Sequence, residues 1–130
     1  MSAGIQPDVI TYNAAISACA KGGKWQLALE WLGRCVSAGI KPDVITYSSE
    51  ISACKKGGQW QLALEWLERC VSAGIQPDVI TYSLAISACE KGGQWQLALD
   101  VLWRCVSAVI KPDVITYSSA ISACEKGGQW

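Results

Sequence analysis

The chain repeats itself every 35 residues, and no other feature restricts its fold as strongly. The tetrapeptide Val-Ile-Thr-Tyr begins at Val9, Val44, Val79 and Val114, and Pro7, Pro42, Pro77 and Pro112 keep the same step. Residues 9–43 and 44–78 differ at only seven positions. Residues 79–113 are a third copy, residues 114–130 the first half of a fourth, and residues 1–8 the tail of a preceding unit, with Ser-Ala-Gly-Ile-Gln-Pro-Asp at 2–8 repeated at 72–78. A sequence that starts and stops mid-unit reads as part of a longer array. Periods of this length belong to stacked supersecondary units, each unable to bury its apolar face alone.

Each unit reads as two helices. In the first, Asp8 and Thr11 offer capping oxygens after Pro7. Ile10, Ala14, Ala15, Ile16, Ala18 and Cys19 then supply an apolar helix that Gly22 and Gly23 stop. A second helix is expected from about Lys24 to Ala38, with Trp25, Leu27, Ala28, Leu29, Trp31, Leu32 and Cys35 on a broad apolar face. Gly39 suits the left-handed residue at its end, and Pro42 bars continuation. The expectation is an all-α, right-handed helical-hairpin solenoid of about seven helices. Its cut ends lack polar caps, which predicts self-association through the end faces.

Chemistry is restricted by what the sequence lacks. It has no His, so the commonest general base and metal ligand is missing. The seven cysteines, Cys19, Cys35, Cys54, Cys70, Cys89, Cys105 and Cys124, include no Cys-x-x-Cys pair and are too spread for a zinc site. They read as buried thiols in a reducing compartment. Gly22-Gly23 is a helix break without the Lys-Ser/Thr ending of a phosphate-binding loop. Neither an enzyme nor a cofactor is expected. Eleven basic residues balance eleven acidic ones, so binding to nucleic acid would require a locally arranged groove. No apolar run is long enough to cross a membrane. The first residues resemble neither a signal peptide nor a transit peptide.

Taken as a set, the 35-residue period, Val-Ile-Thr-Tyr-Asn…Ile at 9–16, Ala-Cys-x-Lys-x-Gly at 18–23, Leu-Ala-Leu-Glu at 27–30 and Gly-Ile-Lys-Pro-Asp at 39–43 resemble the pentatricopeptide repeat. The tetratricopeptide repeat is the nearest rival, but its Trp-Leu-Gly-Tyr signature is missing and its period is 34. The resemblance implies single-stranded RNA bound along the face lined by the first helices, one base per repeat. It implies two reading residues per base: Asn13 with Asp43, Ser48 with Asp78, Ser83 with Asp113, and Ser118 with a partner beyond the sequence. The combinations resemble a uracil reader followed by two guanine readers and a purine reader, hence 5′-U-G-G-purine-3′. Ile10, Ile45, Ile80 and Ile115 would wedge between bases. Lys21, Lys56, Lys91 and Lys126 would follow the phosphates. By the same resemblance the compartment is a mitochondrion or plastid, and the role organellar RNA processing or expression.

Each of these residues also has a plainer use. Asp and Ser cap helices, and a Lys favours a helix C-terminus. Trp25, Trp60, Trp95 and Trp130, with Trp31 and Trp66, suit packing between hairpins better than base stacking. A protein-interaction solenoid is the alternative function, and an apolar or aromatic groove would mark it. Three positions break the pattern. Glu50 replaces Ala15, Ala85 and Ala120; it either tilts to solvent or is costly to bury, and on the groove it would repel phosphate. Val109 replaces the glycine of Gly39 and Gly74. Trp103 replaces Gly33 and Glu68 and adds either exposed apolar surface or a new contact.

Overall fold

A computed structural model describes residues 8–108 and the helix 114–126; within that helix, side chains are described for residues 118–125. Among the described residues there are seven helices and no strand: α1 (Val9–Lys21), α2 (Trp25–Ser37), α3 (Val44–Lys56), α4 (Trp60–Ser72), α5 (Val79–Lys91), α6 (Trp95–Ser107) and α7 (Val114–Lys126). They form a right-handed solenoid of helical hairpins.

The odd-numbered helices start on an aspartate. Oδ1 of Asp8, Asp43 and Asp78 accepts the backbone N–H of Thr11, Thr46 and Thr81 at 3.0, 3.0 and 2.9 Å. That satisfies one of the amides a helix start leaves unpaired. At the other end of α1, Gly23 takes φ 69°, which lets the Lys24 N–H reach back to the Cys19 carbonyl at 2.8 Å. Gly39 does the same after α2 with φ 76°, so that the Ile40 N–H meets the Cys35 carbonyl at 3.1 Å. Val109, where a third such glycine would stand, lies outside the described residues.

The two layers of the solenoid pack differently. Each odd helix lies directly on the next, α1 on α3, α3 on α5 and α5 on α7, and also against its own even partner. Each even helix lies on the following odd helix, and the even helices meet one another through long side chains. Close spacing in one layer and wide spacing in the other bends the stack, with the odd helices on the inside.

This explains the sequence pattern. The even helices bury one stripe, Ala28, Leu32 and Cys35 in α2 and Ala63, Leu67 and Cys70 in α4. The odd helices are covered on both flanks, so α3 buries Thr46, Tyr47, Glu50, Ile51, Ala53 and Cys54. In α1, by contrast, Ile10, Ala14 and Ala18 are exposed although they belong to the apolar run. Six cysteines are buried and Cys124 is half-buried, all as free thiols. Burial pushes Cys54 up to about 12, with Glu50 adding to the effect, and pushes Cys89 up to about 11, so both stay protonated and unreactive.

The tryptophans hold successive hairpins together. A Cβ added to Gly57 would overlap the ring of Trp25, and one added to Gly92 the ring of Trp60. Trp31 and Trp66 instead tilt against Tyr12 and Tyr47 of their own hairpins, with ring centroids 6.3 and 6.1 Å apart. Arg34 and Arg69 cover their outer faces at 4.9 and 4.6 Å. Trp103 is 68% exposed, so the residue adds apolar surface on α6.

Candidate nucleic-acid interface

Near the starts of α1, α3 and α5, two of the expected groups occupy fixed places. The aspartate ahead of the helix keeps one carboxylate oxygen on the backbone cap. Two residues later an isoleucine points outward: Ile10, Ile45 and Ile80 are 73%, 56% and 60% exposed. An apolar side chain left in water once per 35 residues is a recurrent cost, and it produces a periodic row of apolar surface on the inner layer. The side chain of Ile115 lies outside the described residues.

Asn13 and Asp43 come together across the first two odd helices. Asn13 Nδ2 donates to Asp43 Oδ1 at 3.0 Å, and the Thr46 hydroxyl donates to Asn13 Oδ1. The Asp43 backbone N–H donates to the Thr46 hydroxyl oxygen at 3.1 Å and completes a capping box. Asn13 is consequently only 7% exposed. Burial alone would raise the Asp43 pKa. Hydrogen bonds from the Thr46 N–H and the Asn13 amide outweigh it and hold the acid below its ordinary value. Asp43 is thus an anion at neutral pH, and its second oxygen can still accept.

The second pair is arranged otherwise. The Ser48 hydroxyl donates to the Ile45 carbonyl of its own helix at 3.0 Å, instead of crossing to Asp78. Asp78 holds Thr81 through both its backbone and its hydroxyl, at 2.9 and 2.7 Å. Ser83 is half-buried on α5, and Ser118 is exposed on α7. Asp113 lies outside the described residues.

Lys21, Lys56 and Lys91 are exposed in the last turns of α1, α3 and α5. The side chain of Lys126 is outside the described residues. Sequence reasoning missed Lys55, which is half-buried beside this row. Burial, then the nearby Lys91 and Lys56, push its pKa down, while Glu90 opposes them. The signal was available, because Lys55 stands where the other units carry Ala20, Glu90 and Glu125.

Glu50 settles the choice its sequence position posed. It is fully buried, with neither carboxylate oxygen hydrogen-bonded, and burial pushes its pKa up to about 8. The side chain is off the groove surface and largely uncharged at neutral pH, so it presents no negative charge there. Trp25, Trp60 and Trp95 are half-buried and pack against the apolar clusters, as the packing reading expected.

Known proteins share this architecture. Residues 7–56 match a PPR repeat family model, residues 45–75 a PPR repeat model and residues 65–126 a pentatricopeptide repeat domain model. No curated protein matches the sequence. Among solved structures, the pentatricopeptide repeat protein PPR10 in complex with an 18-nucleotide psaJ RNA element aligns with a TM-score of 0.82 at 29% identity. The alignment covers 93% of this chain and 18% of that one. PPR10 from maize aligns with a TM-score of 0.82 at 26% identity, over 98% of this chain and 18% of its own. The PPR domain of Arabidopsis thaliana protein-only RNase P 1, in complex with tRNA, shares the fold at a TM-score of 0.82 and 15% identity, over 96% of this chain and 69% of that domain. The chain therefore spans less than a fifth of PPR10.

Proposed function

Because this chain belongs to the pentatricopeptide repeat family, we propose that it binds single-stranded RNA along the inner, odd-helix face, about one base per repeat. The observation that carries the reading is the row of exposed isoleucines, each set two residues after a helix-capping aspartate. Flat unpaired bases have apolar faces and hydrogen-bonding edges. An alternation of apolar wedge and carboxylate suits both. Asn13 with Asp43, Ser48 with Asp78 and Ser83 with Asp113 are the proposed reading pairs, with Ser118 beginning a fourth. Their implied order is U-G-G-purine. Lys21, Lys56 and Lys91 follow the phosphates, joined by Lys55. With net charge zero, attraction depends on local rows of cations such as this one, so affinity falls as salt rises. PPR10 and the protein-only RNase P 1 domain were both solved with RNA, which supports the partner class. An organellar RNA is the proposed target on the family resemblance.

Two exposed apolar residues on opposite layers provide the test. Ile45→Asp places a charge on the inner face, and Val71→Asp places one on α4 in the outer layer. Labelled single-stranded RNA should bind the first variant at least about tenfold more weakly than the parent, the loss of roughly one good contact. The second should bind as the parent does. Equal effects, or a loss confined to Val71→Asp, would move the RNA interface off the odd helices, and no RNA binding by the folded parent would favour a protein partner.

A further inference from the structure

We infer that Thr46 is a positioning residue for base recognition in the first repeat, because its hydroxyl closes a ring that locks the Asn13 amide against Asp43. The inference rests on reading the inner face as the RNA site. Four hydrogen bonds make the ring. The Asp43 N–H donates to Thr46 Oγ1 at 3.1 Å, and the Thr46 O–H donates to Asn13 Oδ1. Asn13 Nδ2 donates to Asp43 Oδ1 at 3.0 Å, and the Thr46 N–H donates to the same oxygen at 3.0 Å.

Proton counting makes the arrangement one-way. The Thr46 hydroxyl also lies 2.9 Å from Asp43 Oδ1, but it has one proton to give. That carboxylate oxygen already accepts two N–H groups, whereas this hydroxyl is the donor that reaches Asn13 Oδ1. Turning the Asn13 amide over would set its oxygen against a carboxylate oxygen, two acceptors face to face. Thr46 is fully buried, so water does not compete for the ring. What remains unspent is one Asn13 N–H and Asp43 Oδ2. The pair therefore presents one fixed donor beside one fixed acceptor, the kind of pattern a Watson–Crick edge meets.

The next repeat is built without this lock. The Ser48 hydroxyl turns back to Ile45, and Thr81 gives its hydroxyl to Asp78 at 2.7 Å. A serine that pairs within its own helix leaves Thr81 as a helix cap. Discrimination should accordingly be sharpest for the base taken by the first repeat.

The test measures anisotropy of the whole chain with U-G-G-A and its three first-base variants, for wild type, Thr46→Val, Thr46→Ser and Thr81→Val. Wild type should prefer one first base by about tenfold, the value of one good polar contact. Thr46→Val should bring that preference close to one while the chain still binds RNA. Thr46→Ser should keep it, and so should Thr81→Val, which removes the equivalent cap hydroxyl from the other site. An undiminished preference in Thr46→Val overturns the inference. If wild type binds no RNA, it is the functional reading that fails. A separate readout covers a Thr46→Val chain that does not fold: in wild type, the Asn13 side-chain amide proton given to Asp43 should exchange with water more slowly than its twin. Equally fast exchange of both would mean that the ring does not form.

Discussion

The seam between the α1–α2 and α3–α4 hairpins and the seam between α3–α4 and α5–α6 share one frame and differ in what fills it. Both have an odd helix laid on an odd helix, and both press a tryptophan ring over a glycine, Trp25 on Gly57 and Trp60 on Gly92. At the first seam, Trp66 packs against the apolar cluster that holds Ala28 and Leu32, tilted on Tyr47 and covered by Arg69. The same seam holds the closed Asn13–Thr46–Asp43 ring. At the second, the buried Val101 stands where Trp66 stood, Glu68 takes the place of Gly33, and Arg104 crosses to Glu68. Aromatic packing has been exchanged for aliphatic packing plus an ion pair. The odd layer keeps its Thr-Tyr and Ile-Ser-Ala-Cys positions and varies at those of residues 13, 14, 15 and 20, while the even layer varies at those of residues 30, 31 and 33.

The largest expected effect concerns α3, which belongs to both seams. Glu50 has its folded pKa raised from 4.5 to about 8, so the folded chain holds a proton that the unfolded chain releases. Stability is then greatest below the unfolded value and declines as pH rises through the window between the two. Glu50→Ala restores the residue present at Ala15, Ala85 and Ala120. Denaturation curves near pH 9 should show it stabilised by on the order of 4 kcal/mol, with the gain shrinking toward pH 5. A pH-independent difference would mean that the carboxyl finds solvent or a partner.

Next in size is the filling of the even layer. Trp66→Ala should cost about 3 kcal/mol and Val101→Ala roughly 2 kcal/mol in chemical denaturation, since a larger void opens at the first seam. Equal losses would erase the distinction drawn between the seams. Smallest is the ion pair. Both side chains are substantially exposed, so Arg104→Ala should cost under about 1 kcal/mol and less still at high salt. A larger, salt-insensitive loss would show that the pair carries the second seam.

Much of this was legible in the sequence, because repeats convert local signals into repeated ones. The hairpins, the aspartate caps and the glycine turns depend on neighbours within five residues. The period counted the helices. Two features escaped because they depend on how one hairpin is rotated on the next. Glu50 sits among apolar residues either way, and only the stacking of α3 between α1 and α5 puts both flanks out of reach of water. Thr46 stands where the first unit has Thr11, which reads as a cap. Its second bond closes onto a residue 33 positions earlier, beyond any local pattern. Of the site, the exposure of Ile10, Ile45 and Ile80 follows from their place two residues ahead of the buried Tyr12, Tyr47 and Tyr82. The separation of Ser48 from Asp78 does not follow from the sequence, since serine has two short-range partners to choose between.

The central claim is that the odd-helix face reads single-stranded RNA. Its most direct test is the anisotropy of labelled U-G-G-A RNA with this chain, beside a scrambled RNA and the matching single-stranded DNA, at low and high salt. The account predicts tightest binding to the first, weakening as salt rises and lost in Asp43→Ala while the helical spectrum is kept. No binding to any of the three at low salt by a fully helical chain would contradict it.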